Sequence, residues 1–284
     1  MPPSHHVQRF DLNDAGIRKE VFGYAKAMVI TMQSVRLQKY ISDCGLMSRR
    51  AAEREIAAGA FSVNGIRAQI GCTVDPETDE ITYRNQPLKK AEDHSYAVLM
   101  LNKPKGYVTT MHDEKGRPCV SELVSDFGSR VYPCGRLDMD SEGLLLLTND
   151  GALANKLTHP SHHIPKVYHV RVNCEITPEQ LSALNRPMRI DDYLCKPAHA
   201  VIVTRKQDYT VLAITLYEGR NRQIRKMCEQ LDMRVLALKR VAIGELKLGT
   251  LKTGMWKKLT RAQYEYLKKY GDGGKTGSGH GKGR

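Results

Sequence analysis

The sequence predicts an α+β protein with two folded parts: a small domain of helices plus a hairpin, then a larger domain on a mixed or antiparallel sheet. Three observations carry this. Leu37, Tyr40 and Ile41 follow i, i+3, i+4 spacing, the apolar stripe of a short helix, and an Asn64-Gly65 pair soon follows between two apolar runs. Residues 83–95 are polar and interrupted by proline, the composition of a linker. Beyond them, strand-like and helix-like patterns mix until about residue 270.

Residues 1–34 show no pattern and are assigned no function; Met28 and Met32 fit an extension or a misassigned start. Gly45 is placed to end the first helix, and Ser48 to cap a second one with Ala52 and Ile56 facing inward. Phe61–Val63, Asn64-Gly65 and Ile66-Arg67-Ala68 then read as a hairpin, completing a domain over 35–82. Arg36, Lys39, Arg49, Arg50 and Arg54 decorate its helices, which by itself describes only a solvated face. In the larger domain, 96–270, strands are expected at 96–101, 143–148, 166–172, 201–204 and 211–217. Helices are expected near 151–158, 178–185 and 221–231. The Gly-rich, basic tail 271–284 reads as disordered.

Charge narrows the partner. The chain has 44 Lys and Arg against 31 Asp and Glu, and from Tyr217 onward the count is 17 against 6. Positive charge gathered in one region attracts a polyanion, most often nucleic acid. The seven cysteines are scattered without a C-x-x-C pair, which argues against a metal site or a disulfide framework and for a reducing cytoplasm. No apolar run approaches the ~20 residues that span a bilayer. The first residues lack the charged and apolar regions of a secretory signal.

Two stretches carry candidate chemistry. From Gly135 to Gly151, two glycines bracket a polar loop holding Arg136, Asp138, Asp140 and Glu142 ahead of a buried-looking Leu144–Leu147 run. Loops fixed by a rigid strand often carry catalytic groups, although spacing alone favours a tight surface turn whose carboxylates merely solvate it. The second stretch, Glu218 to Met227, opens a helix with Ile224, Met227, Cys228 and Leu231 on one face and Arg222, Arg225 and Lys226 on another. Arginine's planar fork suits a phosphate or a carboxylate, so this face fits an RNA backbone or a buried acid.

These residues carry a resemblance. The elements Arg36–Ile41, Ser48–Arg50 and Val63–Gly65 are similar to those of an S4 RNA-binding domain. Residues 96–270 resemble the catalytic domain of the RsuA/RluB/RluE/RluF family of ribosomal RNA pseudouridine synthases. The family signature runs without a gap from Gly135 to Gly151, preceded by Leu101-Asn-Lys-Pro-x-Gly106 and followed by Gly219-Arg-Asn-Arg-Gln-Ile-Arg-x-Met227.

The resemblance implies roles that spacing does not. Asp138 matches the essential catalytic aspartate and Tyr168 the tyrosine that stacks on the target base. Arg225 matches the basic residue paired with the aspartate, and Leu216 the apolar side chain packed near it. Arg136 matches the arginine that approaches the RNA where the uridine leaves its stack. Arg36, Lys39, Arg49, Arg50, Arg220, Arg222 and Lys226 are then RNA contacts. The family needs neither metal nor cofactor. The implied partner is ribosomal RNA, of the large subunit (23S) in preference to the small (16S), in a subunit precursor. The implied setting is a cytoplasmic monomer. A catalytically silent S4-domain binding or assembly factor is the rival of another class; intact Asp138, Tyr168 and Arg225 argue against it. A DNA-binding regulator lacks a recognition helix with dimer symmetry.

Overall fold

The computed structural model describes residues 34–89 and 96–270, which fall into two compact units. The N-terminal extension, the second half of the expected linker and the C-terminal tail lie outside the described residues.

The first unit opens with helices α1 (Leu37–Asp43) and α2 (Arg49–Ala57). Gly45, at φ +79°, follows α1 in the left-handed region, and Ser48 caps α2 by accepting from Ala51 N at 3.1 Å. Leu37, Ile41, Ala52 and Ile56 point into a small core with Phe61, Val74 and Ile81. Strands β1 (Phe61–Val63) and β2 (Ile66–Arg67) form the expected hairpin. Asn64 and Gly65 both have positive φ, the conformation that a two-residue turn of this hand demands.

Strand pairing continues past residue 82, where the small domain was expected to end. β3 (Ile81–Tyr83) pairs with both β1 and β4 (Gln86–Pro87), so a second hairpin runs through residues expected to be linker. Its turn is Arg84-Asn85, both at positive φ; an arginine where glycine or asparagine is usual concealed it. Pro87 is tolerated because β4 lies on the sheet edge. Leu88 still belongs to this unit: it packs on the core and its carbonyl oxygen accepts from Tyr40 Oη at 3.2 Å.

The second unit is built on a nine-stranded sheet among the described residues. Its strands are β5 (Val98–Lys103), β6 (Tyr132–Cys134), β7 (Glu142–Thr148), β8 (Lys166–Val172), β9 (His199–Lys206), β10 (Tyr209–Leu216), β11 (Val235–Ile243) and β12 (Trp256–Lys258). A short strand at Leu246–Lys247 completes the set. The main path runs β9-β10-β8-β11-β7-β5-β12, with β6 added on β7 and the short strand on β11. All pairings are antiparallel except β11 with β7, which meet in parallel over only two register pairs, Lys239 with Glu142 and Arg240 with Gly143.

β5 and β7 are buried along nearly their whole length, as their unbroken apolar runs demand. One core lies on Leu99, Leu101, Leu145 and Leu147 with Val170 and Leu212; the other lies on Val98, Met100, Leu144 and Leu146 with Leu153 and Leu267. Helices α3 (Gly151–Thr158), α4 (Pro178–Leu184), α5 (Gln223–Glu229) and α6 (Arg261–Lys269) flank the sheet. Asp150 caps α3 through two backbone N–H groups at 3.0 Å, and its other oxygen accepts from Tyr264 Oη of α6 at 2.8 Å.

Expected elements and observed ones differ. The strands β6, β11 and β12, the short strand at Leu246–Lys247 and helix α6 answer to no expected element. The β11 sequence VLALKRVAI places Lys239-Arg240 mid-strand, which breaks the apolar alternation that marks a strand. The first large-domain strand begins at Val98 and runs to Lys103, two residues later than expected. The helix expected over 221–231 is shorter: Arg222 stands before it at φ +52°, so its side chain leaves on a course separate from Arg225 and Lys226.

Candidate active site

The loop from Gly135 to Glu142 is fixed from three sides. Leu137 is buried, and its backbone forms a reciprocal pair with Thr109: Thr109 Oγ1 donates to the carbonyl oxygen at 2.6 Å and accepts from the amide at 3.2 Å. Lys103 lies wholly buried at the end of β5 and spreads its Nζ over the carbonyl oxygens of Pro104, Asp138 and Ser141 at 2.9–3.0 Å. Burial pushes the Lys103 amine down to about 8, against the opposing pull of Asp138, Asp140 and Glu142. Behind the loop, Gly143 sits at φ +106°, and a Cβ there would lie 2.2 Å from the Arg240 carbonyl oxygen. Only glycine lets β7 and β11 approach so closely.

This anchoring holds Asp138 on the wall of a cavity of about 770 Å³, a volume suited to a nucleotide-sized group. Tyr168 of β8 and Leu216 at the end of β10 line the same cavity, both buried, with Ile224 and Leu238 beside them. Arg136, Arg220 and Arg222 line it too and are exposed. The Arg220 guanidinium lies over the Tyr193 ring at 3.5 Å. Glu218 secures this side: it accepts from Lys196 N at 2.9 Å and from Gln223 Nε2 at 3.1 Å.

The arginines divide differently from the expected pairing. Arg225 Nη2 lies 3.1 Å from Asp140 Oδ2 and donates to the Asp140 carbonyl oxygen at 3.1 Å. Arg222 also reaches Asp140, at 3.2 Å, and comes within 3.8 Å of Asp138 Oδ2. Among the described residues the ion pair to Asp138 comes from Arg222, while Arg225 holds the neighbouring acid. The backbone of Arg222 decides this, because its left-handed conformation turns it from the helix face toward the loop. Lys226 pairs with Asp191 at 2.5 Å and does not line the cavity. In the first unit, Arg36 donates to the Gly71 carbonyl oxygen, Lys39 pairs with Asp43 at 2.5 Å, and Arg49 and Arg50 are exposed on α2.

Several cavity residues were assigned no role from sequence. Lys166, Tyr193, Lys196 and Arg240 all line it. Arg240 had a legible signal, a charged residue within an otherwise apolar nine-residue run. Lys166 stands two residues before Tyr168, on the same face of a strand. Cys134 also faces this region, with burial pushing its thiol up to about 12, so it stays a neutral apolar group.

Together these groups can seat a flat ring against Tyr168 with a carboxylate at hand and cations around the opening. Such a lining suits an anionic, ring-bearing ligand. Comparison with known proteins gives the class. Residues 97–230 match the family described as RNA pseudouridylate synthase. The chain is 37% identical over 238 residues to an uncharacterized RNA pseudouridine synthase of Aquifex aeolicus (strain VF5), covering 83% of this chain and 94% of that protein. It is 37% identical over 244 residues to the ribosomal large subunit pseudouridine synthase B of Bacillus subtilis (strain 168), covering 85% and 98%. A crystal structure of a pseudouridylate synthase superposes with a TM-score of 0.58 at 30% identity, over 82% of this chain and 100% of that one. The chain belongs to the RNA pseudouridine synthase family of RNA-modifying isomerases.

Proposed function

We propose that this enzyme isomerises a uridine of large-subunit ribosomal RNA, with Asp138 as the reacting carboxylate. The observation that carries the reading is Asp138 and Tyr168 on the walls of one cavity, with Leu216 beside them. The large-subunit assignment is supported by the near full-length likeness to the Bacillus subtilis protein of that name.

The reaction breaks a carbon–nitrogen glycosidic bond, turns the uracil, and rebonds it through carbon. Asp138 serves either as a nucleophile on the substrate or as a base at the sugar, and both routes need its negative charge. The uridine must leave its stack to enter the cavity, at a cost of a few kcal/mol. Stacking on Tyr168 returns about 1–3 kcal/mol of that. Leu216 closes the apolar side of the ring. Arg136, Arg220 and Arg222 guide the RNA backbone at the opening. The first unit acts as an S4 domain in this reading, with Arg36, Lys39, Arg49 and Arg50 contributing phosphate contacts. Lys226 adds charge beyond the cavity. The enzyme works in the cytoplasm as a monomer on a ribosomal subunit precursor.

The test pairs Asp138→Asn with pseudouridine mapping. The substitution keeps the side chain's size and removes its charge. Tritium release from 5-labelled uridine should fall below detection, while filter-binding affinity at fixed salt stays within a few-fold of wild type. Normal turnover by Asp138→Asn would overturn the assignment. Mapping in cells with and without the gene should lose one pseudouridine from 23S RNA; loss from 16S RNA instead would overturn the large-subunit reading.

A further inference from the structure

The cations around the cavity are not equivalent. Arg222 and Arg225 share Asp140, and Arg220 rests on Tyr193. Lys103, behind the loop, is fully occupied by three carbonyl oxygens. Among the described residues, two cavity cations are withdrawn from bulk water without an ion-pair partner. Lys166 is half-buried at the start of β8, and Arg240 is 4% exposed in β11. Among the described residues, neither has a carboxylate within 4 Å. Arg240 Nε donates to the Leu144 carbonyl oxygen at 2.7 Å, while its buried Nη2 has no partner. Burial, and then the nearby Arg240 charge, push the Lys166 amine down to about 8. Two neighbouring, partly desolvated cations are costly in a fold unless something anionic visits them.

Their position indicates what visits. Lys166 and Tyr168 are i, i+2 on one strand, about 7 Å apart along it, within reach of a lysine stem. Arg240 is the register partner of Tyr168 across the β8–β11 ladder. A ring stacked on Tyr168 would therefore have one cation along the strand and another across it. We propose that Lys166, backed by Arg240, forms an electrostatic subsite for the uracil ring and holds the negative charge the ring acquires when its bond to the sugar breaks. The proposal rests on the reading of this enzyme as a uridine isomerase.

The chemistry supplies such a charge. Cleavage of C1′–N1 leaves the bonding pair on N1, and the ring spreads it onto O2 and O4. After the ring turns, C5 provides the pair for the new C1′–C5 bond. The C5 proton leaves to solvent and N1 takes up a proton, so nothing is oxidised or reduced. A fixed, partly desolvated cation stabilises that developing charge more than the neutral ring, and so acts on rate rather than on binding.

The full-length chain tests this with an RNA that the wild type modifies. Lys166→Met should lower the single-turnover rate roughly 100-fold. Its RNA affinity and the salt dependence of that affinity should stay within a few-fold of wild type. Lys166→Arg, which keeps the charge, should recover most of the rate. A wild-type rate in Lys166→Met would overturn the proposal. So would a loss confined to affinity with a shallower salt dependence, which marks a phosphate contact, or a Lys166→Arg variant as slow as Lys166→Met. Failure of the parent reading looks different: the wild type itself would release no tritium from any ribosomal RNA.

Discussion

Arg225 holds Asp140 twice through one nitrogen, with Nη2 3.1 Å from the carboxylate oxygen and 3.1 Å from the backbone carbonyl oxygen of the same residue. The contact joins α5 to the loop that carries Asp138. It fixes the backbone two residues beyond Asp138 and leaves the Asp138 carboxylate to Arg222.

Removing this contact should therefore affect placement. In Arg225→Met, Asp140 keeps only Arg222, and turnover should fall roughly 10- to 100-fold, the scale of a small misplacement of a reacting group. RNA affinity should hardly change, since the guanidinium faces the loop. Arg225→Lys should rescue poorly, because a single ammonium does not reproduce the planar fork. Filter binding and single-turnover rates, measured side by side, decide between this and a phosphate contact.

Gly143 should tolerate no side chain. Its φ of +106° strains any other residue, and an added Cβ would lie 2.2 Å from the Arg240 carbonyl oxygen and 2.8 Å from its nitrogen. Gly143→Ala should cost about 3 kcal/mol or more, because backbone and not a flexible side chain must yield. Chemical denaturation measures the loss. Stability near wild type would mean that β7 and β11 separate easily.

Lys103 makes stability depend on alkaline pH in a definite direction. Its amine lies at about 8 in the fold against an ordinary 10.5. The unfolded chain therefore binds the proton more tightly than the folded one between those values. The cost of burying the charge is fully present below pH 8 and is relieved as pH rises toward 10.5. Wild type should gain on the order of 3 kcal/mol relative to Lys103→Met across that window. The comparison matters because Cys134 and Cys228, pushed up to about 12 by burial, act in the opposite direction in both proteins. A flat difference curve from urea melts at pH 7.5 and pH 10 would rule this out.

Asp150 links two helices that are far apart in sequence. Asp150→Ala removes the α3 cap and strands the Tyr264 hydroxyl, and should cost about 1–2 kcal/mol. Tyr264→Phe should cost less, since the cap survives. Thermal melts of the two variants and their double mutant should show less than additive loss, because both disturb one network.

Much of this protein is local enough to read from the chain. The Leu144–Leu147 run, the period-two strand at 211–216, the capping Ser48 and the Asn64-Gly65 turn each specify their own conformation through neighbours within a few residues. The family motifs likewise lie in short segments, and Arg136 and Asp138 stand within one of them. What tertiary structure decided is where charges meet. Arg222 and Arg225 are three residues apart, yet a left-handed backbone at Arg222 sends one within reach of both acids and leaves the other on Asp140 alone. Arg240 read as an interruption in an apolar run and proved to be a buried strand residue, since its cost is met partly by the Leu144 carbonyl 96 positions away. Lys103 is buried because three carbonyl oxygens converge on it, two of them from a loop more than 30 residues later. Helical and strand periodicity follow from the chain's own geometry. Ion pairing and desolvation depend on distances between segments that only the folded sheet brings together.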